Sequence, residues 1–169
     1  MLSHARRCAP LFWGLILASP AVYAESAVIL KQSNTPLKIS SYTASYVPEL
    51  SRSSEKIKHS VSYHNTSSKE IVALQIGLTA FDAFNGFMGR FSGWSIEKIP
   101  PGGAKSGEWT QRPYAAFSFE NYGTGVAYVN AVRFSDGSIW RANLSEVLAE
   151  LQKFEKDLKR EDLADKKDK

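Results

Sequence analysis

The sequence predicts a mainly β protein, an antiparallel β-sandwich of about seven strands followed by one C-terminal amphipathic α-helix. Short segments of alternating apolar and polar residues recur between turn-forming residues, which is typical of sandwich strands. The helical spacing of apolar residues begins only after residue 142. Because no helical segment separates the strands, a parallel sheet built from strand–helix–strand units is excluded. The composition, 43% hydrophobic and 22% charged residues, is that of a folded globular chain.

The first 24 residues have the organisation of a secretory signal peptide. Two arginines precede a short apolar run at 11–18, and the small-residue positions before the expected cleavage point are Val22 and Ala24. The apolar run is well short of the roughly 20 residues that span a bilayer, so a membrane anchor fits less well. We expect residues 1–24 to be removed as a signal peptide, which leaves an exported chain with no transmembrane segment.

The rest of the chain offers little to a cofactor or to a nucleic acid. Cys8 is the only cysteine and lies in the predicted signal peptide, so a disulfide framework and a cysteine-based zinc site are excluded. Without Arg6 and Arg7, the 21 basic residues fall to 19 against 17 acidic ones. This balance gives no electrostatic argument for nucleic-acid binding. We therefore expect no cofactor and no nucleic-acid partner.

The predicted sandwich occupies residues 37–142 and follows a short lead-in at 25–36. The segment 57–65 alternates apolar and polar residues, which indicates a strand with one face buried. The segment 71–84 alternates in the same way over a longer span and is the clearest strand. The other strands are predicted at 37–47, 91–99, 104–111, 126–134 and 139–142.

Turn-forming residues separate these strands. Asn85-Gly86 follows the longest predicted strand, and the run from Pro100 to Gly103 interrupts the chain before the strand at 104–111. Asp136-Gly137 stands between two strands, and this dipeptide favours a type I′ hairpin turn because it tolerates positive φ. The last two predicted strands therefore form a β-hairpin.

The apolar period changes after Ala142. Asn143 with Glu146 three residues later resembles a capping box, which predicts a helix over 143–160 and leaves a charged tail at 161–169. This helix either folds back over a sheet of its own domain or docks its apolar stripe onto a partner. The stripe consists of Leu144, Val147, Leu148, Leu151, Phe154 and Leu158.

Residues 61–108 carry a family resemblance. A polar turn at Asn65 precedes an alternating strand that ends in Phe81-Asp82, and a glycine turn at Gly86 and a turn at Pro101-Gly102 follow. This pattern resembles the FxLYD-type domains of bacterial envelopes, although Phe81 stands where the family motif has Tyr. The resemblance implies an immunoglobulin-like sandwich and a periplasmic or secreted location, and it implies no catalytic residue.

The titratable residues do not indicate an active site. His59 and His64 are five apart on one strand, so they face opposite sides and cannot share a metal ion. His59 has apolar neighbours on its face, and we expect it to be buried and hydrogen-bonded. Asp82 and Asp136 both lie beside turns, where carboxylates bind backbone amides. An acid–base role would require that these two carboxylates meet in space. We expect no catalytic residue, no metal site and no enzymatic activity.

The aromatic residues are the best candidates for a binding surface. Long irregular segments carry function more often than framework strands do, and aromatic and arginine side chains are enriched at protein interfaces. The alternative is that these rings cap the open ends of the sandwich. The predicted binding residues are Arg112, Tyr114, Phe117, Phe119 and Tyr122, together with Trp94 and Trp109.

These observations predict an exported, non-enzymatic binding or protein-interaction module of the bacterial envelope. Its partner is expected to be another envelope protein or a secreted protein. The alternative prediction is a module that binds a carbohydrate or another small ligand by stacking it on exposed aromatic rings, Trp94 and Trp109 among them.

Overall fold

The computed structural model describes residues 26–48, 55–113 and 118–163. This part of the chain forms eight strands, one α-helix, α1 (Leu144–Leu151), and a terminal 3₁₀ helix (Arg160–Leu163). The strands are β1 (Ser26–Ile29), β2 (Leu37–Val47), β3 (Lys56–Asn65), β4 (Ile71–Asp82), β5 (Phe87–Ser95), β6 (Ala104–Gln111), β7 (Tyr122–Phe134) and β8 (Ile139–Arg141).

The strands form two sheets that face each other. In sheet A the order is β5-β4-β7, and both β1 and β8 pair with the far edge of β7. In sheet B the order is β2-β3-β6. The chain passes between the sheets after β1, after β3, after β5 and after β6, which is how an immunoglobulin-like sandwich distributes its strands. The predicted β-sandwich with one C-terminal α-helix is confirmed.

The main core lies between the two sheets. Strand β3 alternates buried and more exposed residues along its whole length, as its sequence predicts, and Ile57, Val61 and Tyr63 are at most 1% exposed. Strand β4 contributes Leu74, Ile76 and Leu78 from the facing sheet. These side chains belong to one cluster, so burial of apolar surface holds sheet B on sheet A.

The C-terminal helix covers the outer face of sheet A, so the structure has a third layer. Val147 and Leu151 of α1 pack in a second apolar cluster with Phe81 and Tyr128 of the sheet. Phe154, after the helix, stacks on Phe81 with 5.1 Å between ring centroids. Of the two positions considered for this helix, the structure therefore shows the one on its own domain.

The helix is shorter than the sequence predicts. Its start is confirmed, because the Asn143 side chain accepts a hydrogen bond from the backbone N–H of Ser145. The helix ends at Leu151 and not at residue 160; Gln152 is its C-cap, and the Gln152 side-chain amide donates to the carbonyl of Leu158. Residues 160–163 then form the 3₁₀ helix, so part of the expected tail is ordered, and residues 164–169 lie outside the described ranges.

The predicted lead-in contains a strand. Residues 26–29 form β1, which pairs in parallel with Thr124 to Ala127 of β7. Four residues with an exposed, partly apolar pattern give no clear periodicity, and β1 depends on the edge of a strand that lies about 98 residues further along the chain. The sandwich therefore begins before residue 37 and has eight strands among the described residues.

The edge of β7 is covered by three separate segments. After β1, the side-chain amide of Gln32 donates to the carbonyl of Val129 (2.8 Å) and accepts from its N–H (2.7 Å). From Ala131 onward β8 takes over the pairing. The Gln32 side chain thus takes the hydrogen-bonding positions that a neighbouring strand would use. Together, the three segments close this edge to further strand pairing over most of its length.

The turns lie where the sequence predicts them, but the β7–β8 turn is not the predicted type I′, because Asp136 does not have a positive φ. One strand is displaced. Gly137 has a φ of 84° in the β7–β8 hairpin, and Asn85 has a φ of 68° between β4 and β5. Because this second turn is tight, β5 starts at Phe87 and not at residue 91. It ends at Ser95, and Ile99 makes only an isolated bridge with Ile71. Within the described ranges no helix has the length and apolar character needed to cross a membrane.

Candidate functional site

Two described aromatic residues of the predicted binding segment at 112–122 are buried. Phe119 is 2% exposed and Tyr122 is 4% exposed, and both belong to the main core, so the prediction that they form an exposed surface is wrong. Tyr122 is the first residue of β7, which starts earlier than expected. Arg112 is exposed, and Tyr114 and Phe117 lie outside the described residues. The described aromatic rings of this segment close the end of the sandwich.

A buried polar chain lies beneath this end of the molecule. The Tyr42 hydroxyl is 3.0 Å from Nδ1 of His59, and Nε2 of His59 is 3.2 Å from Oε1 of Gln111. His59 is 1% exposed, as expected from its apolar neighbours. Burial lowers the pKa of His59 to about 4, and its hydrogen bond to Gln111 offsets only part of this effect. Burial also raises the pKa of Tyr42 far above its usual value. The hydrogen-bonded group of Tyr42, His59 and Gln111 is therefore uncharged near pH 7, and its role is structural.

Trp109 has a structural role. Its indole ring lies against Gly93 and Gly107, where a Cβ atom would clash with it. Its Nε1–H donates to the backbone carbonyl of Trp94 at 3.1 Å. The ring thus joins β6 of sheet B to β5 of sheet A along the open side of the sandwich. A half-buried ring held in this way is a poor stacking platform for a sugar.

Trp94 is the predicted aromatic residue that the structure leaves exposed. Its side chain is 64% exposed on the outer face of sheet A, and Ile96, which follows the end of β5, is 87% exposed. Ile139 of β8 is 52% exposed. Helix α1 covers the other half of the same sheet face, around Phe81. Among the described residues, three large apolar side chains therefore lie on, or directly beside, the half of this face that α1 does not cover.

The register places these side chains on neighbouring rows of sheet A. One row runs Arg141, Ala131, Gln75 and Trp94 across four strands, which spans about 14 Å. The next outward-facing row contains Ile139, Arg133 and Ala73. We call the surface formed by Trp94, Ile96, Ile139, Arg133 and Arg141 the Trp94 patch.

The Trp94 patch carries positive charge that the rest of the described chain does not neutralise. Arg133 and Arg141 are exposed, and neither guanidinium forms an ion pair with another described residue. At the border, Lys98 lies 4.0 Å from Glu70. The two arginines thus remain available for an acidic group from outside.

The sequence contains a partial signal for this patch. Trp94 and Ile96 are two residues apart in a predicted strand, so both point to one face. Ile139, Arg133 and Arg141 were missed although their strands were predicted, because the sequence does not give the order of the strands in the sheet. Their proximity to Trp94 depends on the strand order of sheet A.

The two carboxylates considered for acid–base chemistry are far apart. Asp82 accepts backbone N–H bonds from Phe84 (2.8 Å) and Gly86 (2.7 Å). Asp136 accepts from the Ser138 N–H at 2.9 Å and pairs with Lys69 at 2.7 Å. They lie at opposite ends of β4, roughly 35 Å apart along the strand. Both therefore have the turn roles that the sequence favours.

The two histidines lie on opposite faces of β3. His59 faces the core and His64 the other side of β3, so they do not meet. Over residues 26–48, 55–113 and 118–163, no cluster of three or more His, Cys, Asp or Glu side chains could hold a metal ion.

Comparison with known proteins finds only weak structural similarity. No family model and no curated protein matches the chain. The chain is similar to an X-ray structure of a hypothetical protein from Peptoclostridium difficile 630, with 14% identity and a TM-score of 0.47 over 73% of this chain and 93% of that one. It is also similar to the X-ray structure of a Northeast Structural Genomics Consortium target, with 16% identity and a TM-score of 0.43 over 63% and 80% of the two chains.

Proposed function

We propose that the protein is an exported, non-enzymatic interaction module of the bacterial envelope that binds another envelope or secreted protein through the Trp94 patch. The observation that carries this proposal is the pairing of an exposed Trp with two unpaired Arg side chains on one half of a sheet face. The signal-like segment at 1–24 and the resemblance of 61–108 to FxLYD-type domains support the location.

The residue types of the Trp94 patch are those that contribute most to protein–protein affinity. Tryptophan and arginine are enriched among interface residues whose truncation costs more than about 2 kcal/mol. Ile96 and Ile139 add apolar surface that water covers in the free protein. A rigid sheet also presents these side chains with little ordering cost, since their backbone is already fixed.

The charge of the Trp94 patch specifies the chemistry of the partner. Arg133 and Arg141 fit carboxylates, which guanidinium groups bind through paired hydrogen bonds. The partner surface is therefore one that presents Asp or Glu side chains beside an apolar contact.

Carbohydrate binding is the second candidate, and Trp94 supports it, because an exposed indole can stack on a sugar ring. Trp109 does not contribute a second exposed ring, since its N–H is bonded to the Trp94 carbonyl. Tryptophan fluorescence titrated with a glycan panel tests this candidate. A shift that is lost in Trp94→Phe supports it, and no shift with any glycan contradicts it.

Affinity capture with matched variants tests the proposed function. The tagged full chain, the variant Trp94→Ser/Arg133→Glu and the control Phe84→Ser are each incubated with envelope extract. Phe84 is 91% exposed in the β4–β5 turn, at the other end of sheet A, so it controls for loss of a surface aromatic. Circular dichroism confirms that all three are folded.

We expect one stoichiometric protein to be retained by the wild type and by Phe84→Ser, and to fall at least tenfold with Trp94→Ser/Arg133→Glu. Binding of that protein is expected to weaken in 0.5 M salt, because exposed charge pairs are screened. Equal capture by all three proteins, or capture by none of them, would contradict the proposal.

A further inference from the structure

A groove opens at the side of the sandwich where β1 of sheet A lies beside the start of β2 of sheet B. Its volume is about 490 Å³, within the roughly 300–1,000 Å³ of small-molecule clefts. Its apolar walls are the side chains of Ile29, Leu30, Leu37, Ile39 and Val129. Ile29 is 38% exposed, whereas Leu37 and Val129 are at most 1% exposed, so the floor is buried and the rim is open.

Hydrogen bonds hold the walls of this groove in place. Gln32 is bonded through both atoms of its amide to Val129. Thr35 donates to the carbonyl of Leu37 (2.8 Å), and Thr66 donates to the carbonyl of Thr35 (3.3 Å). The polar side chains of the lining are thus largely occupied by the protein itself. The groove is preformed and apolar, which favours a ligand with a hydrocarbon part.

Two lysines stand at the rim. Lys31 and Lys38 both line the groove, both are exposed, and neither forms an ion pair with a described residue. Among the described residues, no Asp or Glu lines the groove, and the formal charges that line it are two ammonium groups beside an apolar interior.

We propose that this groove binds a small amphipathic anion, an alkyl chain that carries one carboxylate. The alkyl chain lies against Ile29 and the accessible edges of Leu30 and Ile39, and the carboxylate accepts charge-assisted hydrogen bonds from Lys31 and Lys38. A neutral sugar fits poorly, because most polar side chains of the lining that could bind its hydroxyl groups are already hydrogen-bonded within the protein. The site is separate from the Trp94 patch, and the two proposals fail independently.

Calorimetry with sodium octanoate below its micelle concentration tests this site on the purified protein. We expect saturable binding to one site, with ¹³C-methyl NMR shifts confined to Ile29, Leu37, Ile39 and Val129. The variant Lys31→Gln/Lys38→Gln is expected to bind about tenfold more weakly, because neutral amides replace two exposed ammonium groups and each exposed charge contact contributes less than about 1 kcal/mol. Both lysines are exposed, so this variant is expected to fold normally.

Two controls separate the site from general charge attraction. Lys58→Gln/Lys105→Gln removes the same charge from sheet B, and we expect its affinity for octanoate to be unchanged. Octanol is expected to bind the wild type and Lys31→Gln/Lys38→Gln equally. The proposal is overturned if millimolar octanoate leaves the groove methyl signals unshifted, or if both double variants lose the same affinity.

Discussion

His59 is a histidine that the core keeps neutral. Gln111 Oε1 can only accept, so Nε2 of His59 carries the proton and Nδ1 accepts from the Tyr42 hydroxyl. Both ring nitrogens are satisfied in this tautomer, while protonation would place a charge where water is excluded. The hydrogen bonds from Tyr42 through His59 to Gln111 therefore link β2, β3 and β6, and they require His59 to be neutral.

We expect this histidine to make stability depend on pH. The pKa of His59 is about 4 in the folded protein and 6.5 in a model peptide, so the unfolded chain binds more protons between these values. The free energy of unfolding should therefore fall as the pH is lowered from 6.5 toward 4, by up to roughly 3 kcal/mol. Urea unfolding at pH 7.5, 5.5 and 4.5 measures this slope. His59→Gln should flatten it and His64→Gln should keep it; equal slopes in wild type and His59→Gln would count against the assignment.

Gly93 is required by the indole that packs on it. A Cβ atom at this position would lie 2.6 Å from the Trp109 ring. We expect Gly93→Ala to lower the free energy of unfolding by about 1–3 kcal/mol, because the ring must move and its bond to the Trp94 carbonyl is strained. Denaturant unfolding measures the loss. In a Trp109→Leu background the same substitution should cost less, and an equal cost in both backgrounds would show that the ring is not the cause.

At the scale of elements, the C-terminal segment covers half of the outer face of sheet A. Helix α1 has only eight residues, too few for a stable isolated helix in water. Its conformation therefore depends on the cluster that Val147 and Leu151 form with Phe81 and Tyr128. Glu146 also accepts a 2.6 Å bond from Ser33, which ties the helix to the segment after β1.

Among the residues of this C-terminal segment, we expect Leu151 to contribute most to the free energy of unfolding. It is 0% exposed, and Leu151→Ala is expected to cost about 2–5 kcal/mol of unfolding free energy through lost contacts and a cavity. Lys153→Ala removes an exposed pair with Glu150 and should cost less than about 1 kcal/mol. Urea unfolding of the two variants compares them. A similar loss of unfolding free energy in both variants would mean that the packing of the C-terminal segment contributes little to the stability of the fold.

At the scale of the whole molecule, the alternation of apolar residues was enough to predict the sandwich, and the change to a helical period predicted where the helix starts but not the surface that it covers. Strand β3 is one example, because a half-buried strand must alternate. Strand β1 could not be predicted, since four residues carry no period and their partner is distant in sequence.

The candidate site was harder to predict for a related reason. Aromatic composition does not distinguish Phe119, a core residue, from Trp94, an exposed one. Burial depends on where each strand begins and on which rings close the ends of the sandwich. Arg133 and Arg141 approach Trp94 only because β8, β7, β4 and β5 are neighbours in sheet A.

The parallel pairing of β1 with the start of β7 also gives the molecule an orientation. The described chain enters at Ser26, opposite Thr124, and ends at Leu163, in the cluster around Phe81. Both termini of the described chain thus lie toward one pole of sheet A, while Arg133 lies about 30 Å further along β7. A tether at either terminus would hold the protein by that pole and point the Trp94 patch away from the point of attachment.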